Sequence, residues 1–387
     1  MAMKKRHAKR LRQIGGWLLA LVILVFVAEW VSRGMQDKLL DSKSNPLVAF
    51  DPATGYTLKP HAVADLQNPV GDRVVVDINS LGLRGREVAS KRSREFRIVG
   101  LGDTFTAALP VAVGDTYLKQ LEKTIESASS SSTVVHAINA GIPGYNLEQE
   151  SCLLAKLGEA LDPDLVLVGL YVADDIREYG QEIGLPVPGK GFLQKKSYLY
   201  HGLRRAYHRI RGGGPGGADP DAPKMAAWKS TFERYGESPD DEQITRFVQL
   251  ARRETPVYRS DGISDAEWSG TEMMLGEIRD RADKLGARTV IALVPTKRQI
   301  LENEWAKTVE LLNLSPGEYD LDRPQRELVP ILSRVGIPTI DLLPVFRSAL
   351  SPDSLYWTGY PHWTPVAHRL AAETIYEFLA HEDLLRP

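Results

Sequence analysis

The chain has 387 residues, a quarter of them charged, with a formal net charge of -2. That near balance lacks the basic excess of a nucleic-acid-binding protein, and the length suits one large domain or two small ones. The single cysteine, Cys152, excludes an intramolecular disulfide and a cysteine-based zinc site, and reads as a small buried apolar residue on a helix.

Lys4, Lys5, Arg6, Lys9, Arg10 and Arg12 form a basic flank over 1–13, and Ile14 to Val31 is almost wholly apolar, broken by Glu29. About 18 residues at ~1.5 Å rise just span a bilayer core. The positive-inside rule leaves the flank in the cytoplasm and puts the body across the membrane. Ser32-Arg33-Gly34 makes a poor cleavage site, and no cysteine follows for a lipoprotein. The expectation is an uncleaved signal anchor at 14–32 in an inner membrane, single-pass, with the main domain periplasmic or otherwise extracytoplasmic.

Residues 33–94 read as a stalk and a small β preface. Asp51-Pro52-Ala53-Thr54-Gly55-Tyr56 is rich in turn residues, Arg73 to Asn79 is a β-branched strand, and Asn79-Ser80-Leu81-Gly82-Leu83-Arg84-Gly85 is a turn. Strands and helices then alternate. Strand 96–101 precedes a helix at 115–128, with Tyr117, Leu118, Leu121 and Ile125 at helical spacing. Strand 133–138 precedes a helix at 147–160. Strand 164–170 is a continuous apolar run, the mark of a parallel strand covered on both faces. Helix 270–285 leads to strand 289–294, and helix 323–335 to strand 339–340. A last helix starts at the N-cap Thr364 with Pro365 at its first position. The pattern over 95–387 predicts a three-layer α/β/α sandwich on a mostly parallel sheet, with ligands at the carboxyl ends of the strands. Thr104, Gly144, Asp174 and Thr296 all follow strands and so share that rim. Residues 186–265 interrupt the alternation as an insertion; a basic amphipathic helix is expected at 195–211 and a flexible glycine-rich linker at 212–217.

Over residues 49–383 the chain resembles the SGNH (GDSL-like) hydrolases, in their bacterial membrane-anchored branch. The resemblance is carried by Gly55-Tyr56, the Asn79–Gly85 turn, Leu101-Gly102-Asp103-Thr104-Phe105 and Asn139-Ala140-Gly141-Ile142-Pro143-Gly144-Tyr145. Pro163-Asp164-Leu165-Val166 and His362-Trp363-Thr364-Pro365 complete it. It implies a flavodoxin-like sheet, ester hydrolysis or acyl transfer on an envelope polysaccharide or lipid, and no cofactor or metal. It also implies a site. Thr104 stands where the family has its serine nucleophile, with Asp103 beside it. The oxyanion hole is Thr104, Gly144 and, in place of asparagine, Asp174. His362 is the general base, with Tyr360 where the orienting aspartate belongs.

Three of four catalytic side chains therefore depart from the family pattern. A β-methyl restricts Thr104, an ionised Asp174 repels an oxyanion, and neutral Tyr360 cannot stabilise an imidazolium; Asp353 is a substitute candidate from the preceding loop. Two readings remain open: an anchored esterase or acyltransferase of altered geometry, and a non-catalytic SGNH-like domain that binds a glycan or an envelope partner protein.

Overall fold

The computed structural model describes residues 16–17, 19–32, 47–128, 134–176 and 224–385. The expected helix 195–211, the linker 212–217, most of the stalk and part of the expected anchor lie outside them. The chain forms two units, Met1–Thr57 with Pro186–Gly217 and Leu58–Leu185 with Ala218–Pro387. In the first, residues 19–32 are helical. No helix among the described residues is long and apolar enough to cross a membrane. Strands β1 (Val48–Asp51) and β2 (Gly55–Leu58) pair across the turn read from the sequence. Asp51 closes that turn, its carboxylate accepting from the Ala53 and Thr54 amides and the Thr54 hydroxyl.

In the second unit, β3 (Val63–Gln67) pairs antiparallel with β4 (Arg73–Asp77). A five-stranded parallel sheet follows: β5 (Glu95–Gly102), β6 (Val134–Asn139), β7 (Leu165–Tyr171), β8 (Arg288–Val294) and β9 (Thr339–Asp341), in the order β6-β5-β7-β8-β9. This is the flavodoxin-like order, with the first strand of the sheet inside the second. Every residue of β7 is buried, as its unbroken apolar sequence requires.

The helices are α1 (Thr104–Ala107), α2 (Tyr117–Ala128), α3 (Leu147–Leu161), α4 (Met225–Arg234), α5 (Asp241–Glu254), α6 (Asp265–Lys284), α7 (Lys297–Ile300), α8 (Glu302–Leu312), α9 (Arg323–Val335), α10 (Leu343–Arg347) and α11 (Pro365–His381). α2 packs on α11, while α3 packs on α6 and α6 on α9. With right-handed crossovers these are the two outer layers of the sandwich. The start of α11 is placed as expected, but the Thr364 hydroxyl donates to the Ser354 carbonyl at 2.6 Å and does not cap the helix. Cys152 lies on α3 as expected but is half-buried.

The margins of the sheet are guarded. β9 has three residues. On β6 the Glu122 carboxylate accepts the Ala137 amide at 2.9 Å, and Arg84 bridges Asn139.

Part of the insertion is helical. α4 and α5 bury Trp228, Phe232, Ile244 and Val248 against Leu311 of α8. Asp240 and Gln243 form a capping box at the start of α5. This helix pair was not expected from the sequence, and it delivers a residue to the candidate site.

Candidate functional site

β5 ends in a turn that only glycine can make. Gly102 has φ +148°, and a Cβ there would come within 2.2 Å of the Thr106 hydroxyl. Asp103 then caps α1, its carboxylate accepting the Phe105 amide at 2.9 Å. Thr104 is the first residue of α1 and half-buried. The far end of α1 is clamped by Arg84 from the preface. Its guanidinium donates to the carbonyls of Ala107 (3.0 Å), Ala108 (2.5 Å) and Val111 (2.6 Å). Asn139 donates to the Thr106 carbonyl at 2.7 Å, and Gly141 lies so close that a Cβ would sit 2.4 Å from the Ala107 nitrogen. The motif residues 79–85 and 139–141 thus set the position of the Thr104 turn.

Gly144 follows Pro143 in a turn closed by the Tyr145 amide on the Ile142 carbonyl at 3.1 Å, with φ +75°. Pro then Gly at the centre, with the second φ positive, is the type II pattern. Asn146 and Gln149 cap α3 reciprocally, and the Leu147 amide reaches the Asp175 carbonyl at 3.4 Å.

The chain leaving β7 turns at 172–176. Asp175 folds back to accept the Tyr171 amide at 2.6 Å. Asp174 pairs with Arg253 of α5 at 2.9 Å. Arg253 was missed by sequence reasoning, because nothing near it in the chain distinguishes it from the other arginines of an amphipathic helix.

His362 sits in a loop braced on both sides. Tyr356 and Trp363 form a β-bridge, and the Trp357 amide donates to the His362 carbonyl at 3.2 Å. Lys297 donates to the carbonyls of Trp357 (3.1 Å) and Tyr360 (3.4 Å) and pairs with Glu304 at 3.3 Å. Phe105 joins the loop to the other two parts of the rim: its ring lies 4.7 Å from Tyr171, 5.1 Å from His362 and 5.3 Å from Trp363. The structure therefore brings together the Thr104 turn, the exit of β7 with Asp174, and His362. Thr296 caps α7 and accepts or donates to Tyr258 at 2.6 Å, a structural role.

No carboxylate orients His362 among the described residues. Its Nδ1 is enclosed and makes no hydrogen bond. Tyr360 meets the imidazole ring to ring, with centroids 4.8 Å apart. Asp353 is exposed, and no hydrogen bond or ion pair among the described residues joins it to His362. Nor does Thr104 form a hydrogen bond with His362. Burial, helped by the Arg253 charge, pushes the imidazole down to about 4, so it is neutral at pH 7. His368, by contrast, is a packing residue: its Nδ1 accepts the Tyr117 amide at 3.2 Å at the start of α2.

Beneath the turn lies a group of acids. Burial raises Asp103 to about 7, with the Asp174 charge adding to the rise. Burial also raises Glu150 well above the carboxylate range, with Asp103 contributing, and raises Asp175 with Asp103 and Glu150 contributing. Glu150 is 0% exposed and neither of its carboxyl oxygens has a hydrogen-bond partner.

Residues 252–386 match a family model described as the SGNH hydrolase-like domain of acetyltransferase AlgX. Over that stretch the chain is similar to the SGNH hydrolase-like domains. No curated protein matches it in sequence. Similar solved structures include the esterase EstA from a Pseudoalteromonas species, 14% identical with a TM-score of 0.38 over 74% of this chain and 97% of that one. The lipase/acylhydrolase from Enterococcus faecalis is 15% identical, with a TM-score of 0.37 over 76% and 98%. The acetyl xylan esterase AlAXEase is 10% identical, with a TM-score of 0.39 over 73% and 98%. Likeness at this level carries no argument about activity.

Thr104 and His362 are brought to one rim without a hydrogen bond between them. Among the described residues no carboxylate meets the Nδ1 of His362, and Asp174 is held by the Arg253 guanidinium. Among the described residues no group of acids, histidines and cysteine has the geometry to hold a metal ion.

Proposed function

We propose that the chain is a membrane-tethered SGNH-like domain that binds an acyl ester of an envelope polysaccharide or lipid and turns it over poorly or not at all. The observation that carries this reading is the enclosed, unbonded Nδ1 of His362. A base whose second nitrogen has no acceptor is free to take either tautomer, and its imidazolium has no counter-charge. Replacing the orienting aspartate by its amide costs ~10⁴ in turnover in the serine-protease example. A missing oxyanion donor costs ~10²–10³ more. The matched family's description names an acetyltransferase, which supports an acyl ester as the ligand; the envelope polysaccharide or lipid rests on the sequence resemblance alone.

The test is an acyl-ester assay on the full chain with a short-chain substrate. Wild type and Thr104→Ala should have the same low turnover. Wild-type rates of order 1–10³ per second that vanish in Thr104→Ala would make the domain an esterase or acyltransferase instead. One observation favours that second reading: Arg253 places a guanidinium donor beside Asp174, where the family has an amide donor.

The tether rests on the sequence, with its basic flank and the apolar run over 14–32. It puts the SGNH-like domain outside the cytoplasm. Protease added to spheroplasts should digest the domain; full protection, or a mature N-terminus near residue 35, would remove the tether.

A further inference from the structure

Arg84 is an anomaly of charge. It is 4% exposed, yet it makes no ion pair among the described residues. Two of its nitrogens are spent on neutral carbonyls, and Nε, also enclosed, has no acceptor. Buried charges are ordinarily paired, because taking an ion out of water is costly unless a counter-charge replaces the water. Burial draws its guanidinium down to about 10.

Arg84 is also part of the wall of a cavity of about 370 Å³, between β4 with the 84–86 turn on one side and β6 with the start of α2 on the other. That is within the range of small-molecule sites. Arg86 and Lys119 line it too, and both lean on one carboxylate, Glu122; Arg86 is 3.6 Å from it. His136 accepts from Arg86 through Nε2 at 2.9 Å and faces Glu95 through Nδ1 at 3.3 Å, so it adds no positive charge. The three cations thus face two carboxylates, Asp77 on the wall and Glu122 behind it, and a single positive charge is left over. Val113, Leu118 and Ile138 give the wall an apolar part, and Thr116 and Asn139 add polar side chains to it.

We propose that this cavity binds a small amphipathic carboxylate, with its head group among Arg84, Arg86 and Lys119 and its apolar body against Val113, Leu118 and Ile138. One surplus positive charge matches a monoanion. The apolar part of the wall gives a bare phosphate nothing to bury and gives a hydrocarbon chain surface to cover. The site is separate from the Thr104 cleft and does not depend on how that cleft works. It is joined to it mechanically, because Arg84 also holds the end of α1.

The experiment titrates the full chain, with matched detergent blanks, with hexanoate, hexanamide and inorganic phosphate, using calorimetry and thermal shift. Hexanoate should saturate and raise the melting temperature, as any ligand of the native state does. Hexanamide and phosphate should bind at least ten-fold more weakly. Hexanoate affinity should fall at least ten-fold in Arg86→Gln/Lys119→Gln. Val113→Asp, at a half-exposed position that tolerates a polar side chain, should have the same effect by repulsion. Arg253→Gln should leave affinity unchanged. The proposal is overturned by hexanoate that never saturates, by phosphate or hexanamide binding equally well, or by unaltered affinity in the wall variants. Loss of binding in Arg253→Gln would also overturn it, by placing the ligand in the cleft.

Discussion

Changing Thr104→Ser and Tyr360→Asp together is expected to raise acyl-ester turnover at least ~10²-fold over wild type, a fraction of what an orienting acid contributes in the serine-protease example. The pair supplies an unhindered nucleophile and a carboxylate on the backbone position whose present ring already lies 4.8 Å from the imidazole. Its target is the empty Nδ1 of His362. Adding Asp174→Asn should raise turnover again by ~10-fold or more, since a charge that repels the oxyanion becomes a donor and Arg253 loses its anion. Each single change should do little, because nucleophile, base and orienting acid act as a unit. The check is kcat/KM for the singles, the double and the triple on one short acyl ester. Equal gains from each single change, or no gain in the triple with the fold intact, would show that the departures do not limit catalysis.

Stability should fall as pH rises from about 4 to above 7, and Glu150→Gln should remove much of that slope. Asp103 titrates near 7, about three units above its usual value. Its native state holds a proton that the unfolded chain has released, so it contributes stability below pH ~4 that is lost as pH passes through 7. At ~1.36 kcal/mol per unit this is roughly 4 kcal/mol, an upper figure for a group that shares its protons with neighbours. Glu150 and Asp175 are raised in the same direction and act with the same sign. An amide at 150 keeps the shape, and it removes one buried acid whose own raised titration adds to the slope. Urea midpoints at pH 5 and pH 8 measure the effect. Wild type should be less stable at pH 8, and the variant should gain most there. A wild type that is more stable at pH 8, or a variant that loses stability equally at both, would contradict this account.

The five parallel strands and the helices between them were legible because a strand buried on both faces must be apolar throughout, as β7 is, and because a helix on its surface shows a 3.6-residue stripe. The β3 strand was not. Val63-Ala64-Asp65-Leu66-Gln67 is half exposed and polar, and its pairing with β4 comes from the hairpin rather than from its own pattern. Helices α4 and α5 were overlooked although Asp240 and Gln243 spell a capping box, because their apolar faces meet α8, far along the chain. For the site, short spacings were readable: Gly102 with Asp103 and Thr104, and Tyr360 with His362. What decides the electrostatics was not. Arg253 meets Asp174, Lys297 meets the His362 loop, and Glu150 lies with Asp103 only through tertiary packing.

The guarding of the sheet margins has a consequence for how this protein meets others. An open strand recruits a neighbour through its unused amides and carbonyls, and that route leads to chain exchange and fibres. Here one margin is a three-residue strand and the other has an amide already taken by Glu122. A second chain arriving edge-on at the five-stranded sheet finds little ladder to extend. Contacts at these two margins fall to side chains and loops, where sequence can change without disturbing the sheet.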